Sequence, residues 1–190
     1  MEWTIPGTVL TGRRDHPEQV EEQIRSMFLA GGMVRSQVAA VTGLEAHAIQ
    51  NWVKRGFLSP PRQKRYSCRQ LCRIMIINML KSALPMEKIC FLLSYINGQL
   101  DDESDDCIDD TELYFAFLKV ASRYTGMMQD GEAVKACIHE SLSDYREPVP
   151  GAKERVEQVL AVMLTAWASA QLQQQAEQQL SLLVIQEKGD

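Results

Sequence analysis

The sequence predicts a mainly α-helical protein: a helix-turn-helix with a small β wing, then a helical C-terminal region that ends in one long helix. Three observations predict this class. Residues 36–55 hold two short helical patterns separated by Gly43, a residue that commonly ends a helix. The next segment, FLSPPRQKRYS, cannot stay helical through Pro60 and Pro61. After Gly151, about 35 residues keep a helix-compatible pattern.

Composition favours a globular protein of the cytoplasm. Of 190 residues, 45% are hydrophobic and 24% are charged, which is ordinary for a folded soluble domain. The longest apolar runs are too short for a membrane-spanning helix, and MEWTIPGTVL lacks the basic and apolar regions of a secretory signal. The five cysteines have no regular spacing. We therefore expect reduced thiols, no disulfide framework and a cytoplasmic location.

The charge is segregated along the chain, although its formal sum is only -5. Residues 46–86 contain eight Lys or Arg and no acid, whereas residues 101–112 contain eight acids and no base. Such blocks are more informative than the net charge. They indicate a basic surface for nucleic acid, followed by an acidic linker at 99–110 that we expect to be solvated.

The first half of the chain divides into an N-terminal arm with a helix at residues 1–32 and the helix-turn-helix that follows. A helix is predicted over 15–31, then Gln37–Thr42 capped by Ser36, then Glu45–Arg55 ending at Gly56. The last of these helices is amphipathic. Ile49, Trp52 and Val53 form its apolar side, and the opposite side carries the polar set His47, Gln50, Asn51 and Lys54.

The rest of the chain is predicted to be helical apart from the wing. FLSPPRQKRYS suggests a short strand, a turn and a short strand. Ser67 is a plausible cap for a helix over 68–84 whose buried stripe includes one polar exception, Asn78. Further helices are predicted at 86–96, 111–124 and 130–142, before a linker at 145–151 and the long final helix.

Residues 33–98 resemble the MerR-type winged helix-turn-helix domain of bacterial regulators. The resemblance rests on SQVAAVTGLEAHAIQNWVKRGFL, the PP pair, KRYS and LCRIMIINMLKSALPMEKICFLL. The layout of the whole chain is similar to an uncharacterised bacterial family of MerR-like proteins with a domain of unknown function. The resemblance implies double-stranded DNA as partner, with the second helix in the major groove and the wing on the flanking backbone.

The resemblance also implies individual roles. Gln50 and Asn51 stand where MerR-type regulators commonly have Arg and Tyr, and carboxamides can pair with adenine edges. The operator is therefore not inferable from the family. The predicted DNA-binding residues are His47, Gln50, Asn51, Lys54 and Arg55 on the helix, Arg62, Lys64, Arg65 and Tyr66 on the wing, and Arg69 at the start of the next helix.

The region 111–190 is predicted to dimerise and to be the place where any effector would bind. Val156, Leu160, Met163 and Trp167 follow a 4-3-4 spacing that suits a helical partner in a homodimer. The alternative is that this face packs on helices of the same chain. A small-molecule pocket here would draw on Met127, Met128, Met163 and Trp167, although methionines at helical spacing are usually core residues.

The sequence as a whole favours a sequence-specific DNA-binding protein, a bacterial transcriptional regulator, rather than an enzyme. It has no Ser/His/Asp arrangement, no Gly-rich phosphate loop and no HExxH. Cys68 and Cys72 share a helix face but lack further clustered ligands, so we expect no metal and no cofactor. Two alternatives remain open: a protein-interaction module that keeps the winged fold without reading DNA, and a small-molecule sensor.

Overall fold

A computed structural model of the chain describes residues 2–98, 100, 106–124 and 131–187, with side chains to residue 183. Met127 and Met128 lie outside the described residues. Most of the described chain is helical, as the sequence predicts. The strands are β1 Glu2–Thr4, β2 Thr11–Arg13, β3 Met33–Val34 and β4 Arg65–Tyr66, and the helices are α1 Pro17–Ser26, α2 Arg35–Thr42, α3 Ala46–Lys54, α4 Cys68–Leu80, α5 Met86–Asn97, α6 Asp110–Arg123, α7 Gly131–Ser141 and α8 Ala152–Glu187.

The N-terminal arm forms an antiparallel hairpin, β1–β2, that the sequence pattern does not reveal. Its connecting loop docks directly on α4. Gly7 has φ +77°, and a Cβ there would lie 2.2 Å from the Met75 carbonyl oxygen, so only glycine permits the approach. The Asn78 Nδ2 donates to the Gly7 and Thr42 carbonyls, each at 2.9 Å. The polar exception on α4 thus joins the hairpin to α2.

The two short helices predicted on either side of Gly43 are present, as α2 and α3, with small shifts of their ends. Gly43 ends α2 with a left-handed φ of 69°, a conformation that glycine adopts without strain. Ser67 caps α4, since its hydroxyl accepts from the Gln70 backbone N–H while the Gln70 side chain accepts from the Ser67 N–H. Helix α4 ends at Leu80, before the predicted Leu84.

The wing differs from the predicted strand-turn-strand. Strand β4 pairs with β3, which precedes α2, in the register Met33 to Tyr66 and Val34 to Arg65. Within the predicted wing segment, the described ladder is a single bridge between Arg62 and Arg65. The Pro60–Pro61 pair explains this, because proline donates no backbone hydrogen bond and leaves this stretch unable to form a continuous ladder.

A single hydrophobic core joins the arm, helices α2 and α3 and the C-terminal helices. Helix α4 lies at its centre and contacts α2, α5, α6 and α8. Its residues 71–77 are all buried. The core runs from Ile5 in the N-terminal arm to Trp167 in α8. The described part of the chain includes no helix that is both long and apolar enough to cross a membrane.

The α8 face that we assigned to dimerisation lies inside this core. Val156, Leu160 and Met163 have no exposed surface, and Trp167 is 8% exposed. The Trp167 ring lies 5.9–6.4 Å from the rings of Phe117, Tyr124 and Trp3, measured between centroids. Because the chain already covers these side chains, the prediction that they form a dimer interface is wrong, and packing within one chain is correct.

Candidate nucleic-acid interface

The exposed face of α3 carries the polar set predicted from its periodicity. Ile49 and Trp52 are buried, at 0% and 7% exposure, and they fix which side of α3 faces the core. His47, Gln50, Asn51 and Lys54 are all exposed. Two carboxamides and two basic side chains are therefore presented together, which is the chemistry that reads base edges and phosphates in a DNA groove.

A tight turn follows α3 and projects three further cations. Gln63 and Lys64 have φ of 49° and 61°, and the Arg65 N–H donates to the Arg62 carbonyl at 2.9 Å. Positive φ at both central residues is the signature of a type I′ turn, which matches the twist of a β-hairpin. Arg62, Lys64 and Arg65 are all exposed. A compact turn therefore takes the place of the expected strand-turn-strand wing.

Hydrogen bonds from side chains to backbone carbonyls hold the turn on both sides. The Arg65 guanidinium donates to the Gly32 carbonyl at 2.7 Å, which fixes the stem of the turn against the chain before β3. The Gln70 side-chain amide donates to the Ser59 and Pro60 carbonyls at 2.9 and 3.2 Å. Lys54, Arg62 and Lys64, in contrast, form no ion pair within the part of the chain that the structure describes.

Tyr66 leaves the candidate interface, and Arg35 joins it. Tyr66 is 3% exposed and belongs to the core, so its hydroxyl is not offered to a phosphate. Burial raises the pKa of Tyr66, and the positive charge of Arg35 opposes that shift. Arg35 is exposed at the first position of α2, near the strand that carries Arg65. Sequence reasoning missed it, because it lies 19 residues before Lys54, outside the basic block.

Arg55 is exposed like the interface cations, but it also contacts two side chains of its own chain. Its guanidinium lies 3.5 Å from a Glu87 carboxylate oxygen, and both side chains are more than half exposed. It also lies over the Phe57 ring, 4.5 Å from the centroid. An exposed pair of this length contributes little free energy and is easily exchanged for another anion. Arg55 therefore stays in the candidate interface.

Arg69 is directed away from the candidate interface, into an acidic cluster. Its side chain pairs with Asp106, and its Nε lies 3.4 Å from Asp109 and 3.8 Å from Asp110. Only 23% of the side chain is exposed. The prediction that Arg69 contacts DNA is therefore wrong, because aspartates of the same chain occupy the place of the phosphate.

Arg73 forms a buried ion pair with the same acidic segment. Its Nη1 lies 3.1 Å from Asp110 Oδ2, and its Nε donates to the Phe57 carbonyl at 3.1 Å. Asp110 also accepts from the Asn97 side-chain amide at 3.2 Å. Burial raises the pKa of Asp110, and the guanidinium of Arg73 opposes that shift. The pair ties the segment after α3 to the start of α6.

The prediction that residues 99–110 form a solvated linker is wrong for the described residues 106–110. Asp110 is 2% exposed and begins α6, while Asp109 caps the helix by accepting from the Thr111 N–H at 2.7 Å. Cys107 and Ile108 are buried as well. The described end of the acidic stretch, 106–110, is thus packed structure. Residues 101–105 lie outside the described residues.

The two cysteines at the start of α4 shift each other's pKa. The thiol of Cys72 hydrogen-bonds to Cys68 and holds the pKa of Cys68 below its ordinary value. The pKa of buried Cys72 is raised in turn. Within the described ranges, no three His, Cys, Asp or Glu side chains come together as a metal ion requires.

Fold and surface together define a mainly helical protein with an exposed cationic face on one short helix and its neighbouring turn. Residues 22–117, 96 of the 190, match a domain of unknown function, DUF1836. The chain belongs to that family. The match covers α2, α3, the turn, the Arg69–Asp106 and Arg73–Asp110 pairs and half of α6. It therefore extends past the predicted 33–98 domain.

One relative is the "Uncharacterized protein YkrK" of Bacillus subtilis (strain 168), which is 36% identical over 78 residues. That alignment covers 39% of this chain and 34% of the relative, so the chain spans about a third of the length of the curated relative it matches. No solved structure matches the chain.

Proposed function

We propose that the chain is a sequence-specific double-stranded DNA-binding protein with a winged helix-turn-helix, acting as a transcriptional regulator. One observation supports this most strongly: the cations of α3 and the turn stay exposed while the nearby arginines of α4 are neutralised. Surface cations without acidic partners neutralise phosphates, which supplies most of the affinity for a duplex.

In this proposal the interface divides its work between two kinds of contact. Lys54, Arg62 and Lys64 bind phosphates and set the position of α3, and Arg35 binds a further phosphate. Gln50 and Asn51 then test base edges, since a carboxamide forms two hydrogen bonds with adenine in the major groove. A correct pair of this kind discriminates against a wrong base by about 1–3 kcal/mol.

Selection of bound duplexes from a random pool tests the proposal. The full chain should enrich one sequence motif, and Lys54→Ala should weaken binding to every duplex. Lys119→Ala removes an exposed cation from α6, away from the interface, and should bind like the native chain. The proposal fails if the native chain binds no duplex above background at low salt.

A protein-interaction module is the second candidate for the same surface. The observation that favours it is the loss of Arg69 and Arg73 to internal pairs, which leaves a small cationic face on a chain of net charge -5. An acidic protein would then dock on α3 and the turn. A pull-down that recovers one stoichiometric protein and no DNA decides for this alternative.

An open groove of about 1000 Å³ favours a sensor role as a third candidate. It is lined by the N-terminal hairpin and α8, and its lining includes Trp3, Tyr124, Trp167 and several glutamines of α8. Met163, which we placed in such a pocket, is instead fully buried. Thermal stabilisation of the chain by one compound of a metabolite panel would support a sensor, and loss of that effect in Trp3→Ala would assign it to the groove.

A further inference from the structure

Helix α8 extends well past the body of the protein. It spans 36 residues, from Ala152 to Glu187. Its first half contributes to the core as far as Trp167, whereas residues 171–183 are all exposed. A helix of this length gains most of its stability in water from packing one face against a partner. The outer half of α8 has no such partner among the described residues.

Exposed apolar side chains are concentrated on α8 and its neighbour α5. Ten large hydrophobic residues of the described chain are strongly exposed, and seven of them lie on these two helices. Phe91 is 70% exposed, Leu172 63% and Leu183 60%. A concentration of this kind marks an interaction surface rather than scattered surface residues.

Three of the exposed apolar side chains of α8, Val162, Leu172 and Leu183, lie on one stripe with heptad spacing. We call it the outer stripe: Val162, Thr165, Ser169, Leu172, Ala176 and Leu183, at intervals of three and four residues and then one whole heptad. All six are exposed. At 3.6 residues per turn, the stripe lies on the side of α8 opposite the buried Leu160, Met163 and Trp167.

Helix α5 flanks the inner end of this stripe. The Tyr95 hydroxyl is 3.1 Å from Gln158 Oε1, and the Arg155 guanidinium lies 5.8 Å from the centre of the Tyr95 ring. Phe91 and Tyr95 lie one turn apart, with ring centroids separated by 6.5 Å. The two aromatic rings thus continue the apolar surface from α8 onto the body of the protein.

We propose that the outer stripe binds the same stripe of a second copy of this chain. A surface that pairs with itself must avoid like charges, and none of the six stripe residues is charged. Thr165, Ser169 and Ala176 are small enough to let two helices approach closely. From Val162 to Leu183 the stripe covers three heptads, about 32 Å of helix. The proposal is independent of DNA binding.

The contact is expected to be reversible. The stripe alternates Val and Leu with small and polar residues, so it buries less apolar area than a stripe of leucine and isoleucine. We therefore expect a monomer–dimer equilibrium in the micromolar range rather than a permanent dimer. If the chain also binds DNA, a dimer places two α3 helices on neighbouring half-sites.

Sedimentation of the full chain from about 1 µM to about 200 µM tests this inference. The native mass should rise from 21.5 kDa towards twice that value. Leu172→Glu combined with Leu183→Glu should remain monomeric throughout, with unchanged helical circular dichroism. Thr165→Arg places a charge at the inner end of the stripe and should also abolish the dimer. Leu182→Glu is the matched control, since Leu182 is 62% exposed but rotated about 100° from Leu183.

Three outcomes would overturn the inference. The first is a native chain that stays monomeric at the highest concentration. The second is a dimer that survives both the double Leu variant and Thr165→Arg. The third is a dimer that Leu182→Glu disrupts as strongly as the double variant. A monomeric native chain that binds a different protein through the stripe counts against a second copy as occupant.

Discussion

Two neighbouring regions of the basic segment carry similar cations and use them differently. On α3 and the turn, Lys54, Arg62 and Lys64 point into solvent without acidic partners among the described residues. On α4, Arg69 and Arg73 are held by Asp106 and Asp110, more than thirty residues away in sequence. A run of cations in the sequence therefore does not form one surface. Whether each cation stays exposed or forms an ion pair depends on which residues the fold places next to it.

The α4 arginines tie α4 to the start of α6, and Arg73 also ties it to the segment after α3. Arg73 binds both the Phe57 carbonyl, just after α3, and Asp110 at the start of α6. Breaking a buried pair leaves an uncompensated charge, which costs far more than losing an exposed one. The two regions should therefore respond to substitution in opposite ways: stability for α4, and binding for α3 and the turn.

The largest effect is expected at the buried pair. Arg73→Met should lower the free energy of unfolding by about 3–5 kcal/mol, because Asp110 is left buried without its nearest cation. Urea denaturation measures this change. Lys64→Ala, the matched change in the exposed region, should shift stability by less than about 0.5 kcal/mol. Adding Asp110→Leu to Arg73→Met should recover much of the lost free energy of unfolding. Equal losses of stability in Arg73→Met and Lys64→Ala would contradict the distinction between the two regions.

The next effect concerns base reading by α3. Gln50→Ala should change the preferred base at one position of the selected duplex by about 1–3 kcal/mol and leave stability unchanged, because the side chain is exposed. Competition binding with single-base variants of the duplex measures it. Glu22→Ala changes an exposed residue of α1 and serves as control. A uniform loss of affinity across all duplexes would show that Gln50 only contacts the backbone.

The smallest effect is a difference in reactivity between two half-buried thiols, Cys68 at the start of α4 and Cys90 in α5. The pKa of Cys68 is lowered by the Cys72 hydrogen bond, whereas burial raises the pKa of Cys90. A lower pKa gives more thiolate at a given pH, so the alkylation rate of Cys68 should rise at lower pH than that of Cys90. Mass spectrometry of iodoacetamide labelling measures both in one sample. Cys72→Ala should shift the Cys68 curve to higher pH, and coincident curves in the native chain would contradict the assignment.

Local signals in the sequence are sufficient for the helices and for the amphipathic character of α3. Caps, glycine stops and helical periodicity act over a few residues, so the ends of α2 and α3 and the exposure of Gln50 and Asn51 follow from them. The hairpin β1–β2 escapes such reasoning, because its strands have three residues each and depend on the docking of Gly7 against α4.

The errors at the candidate site share one physical cause, which is tertiary pairing. Tyr66 enters the core because β4 pairs with a strand that lies more than thirty residues earlier. Arg69 is neutralised by a segment that reads as a solvated acidic run. The outward and inward faces of α8 are also indistinguishable without knowing where α5 and α6 pack, since both have heptad-like spacing. No local pattern contains this information.

A salt titration of duplex binding tests the central claim most directly: that the exposed cations of α3 and the turn bind DNA. The native chain and the double variant Arg62→Ala/Lys64→Ala are compared on the selected duplex, with Lys119→Ala as control. We expect the native affinity to fall linearly on logarithmic axes as salt rises, and the slope of the double variant to be smaller by about 2. A slope identical in all three proteins, or no duplex binding at low salt, would contradict the claim.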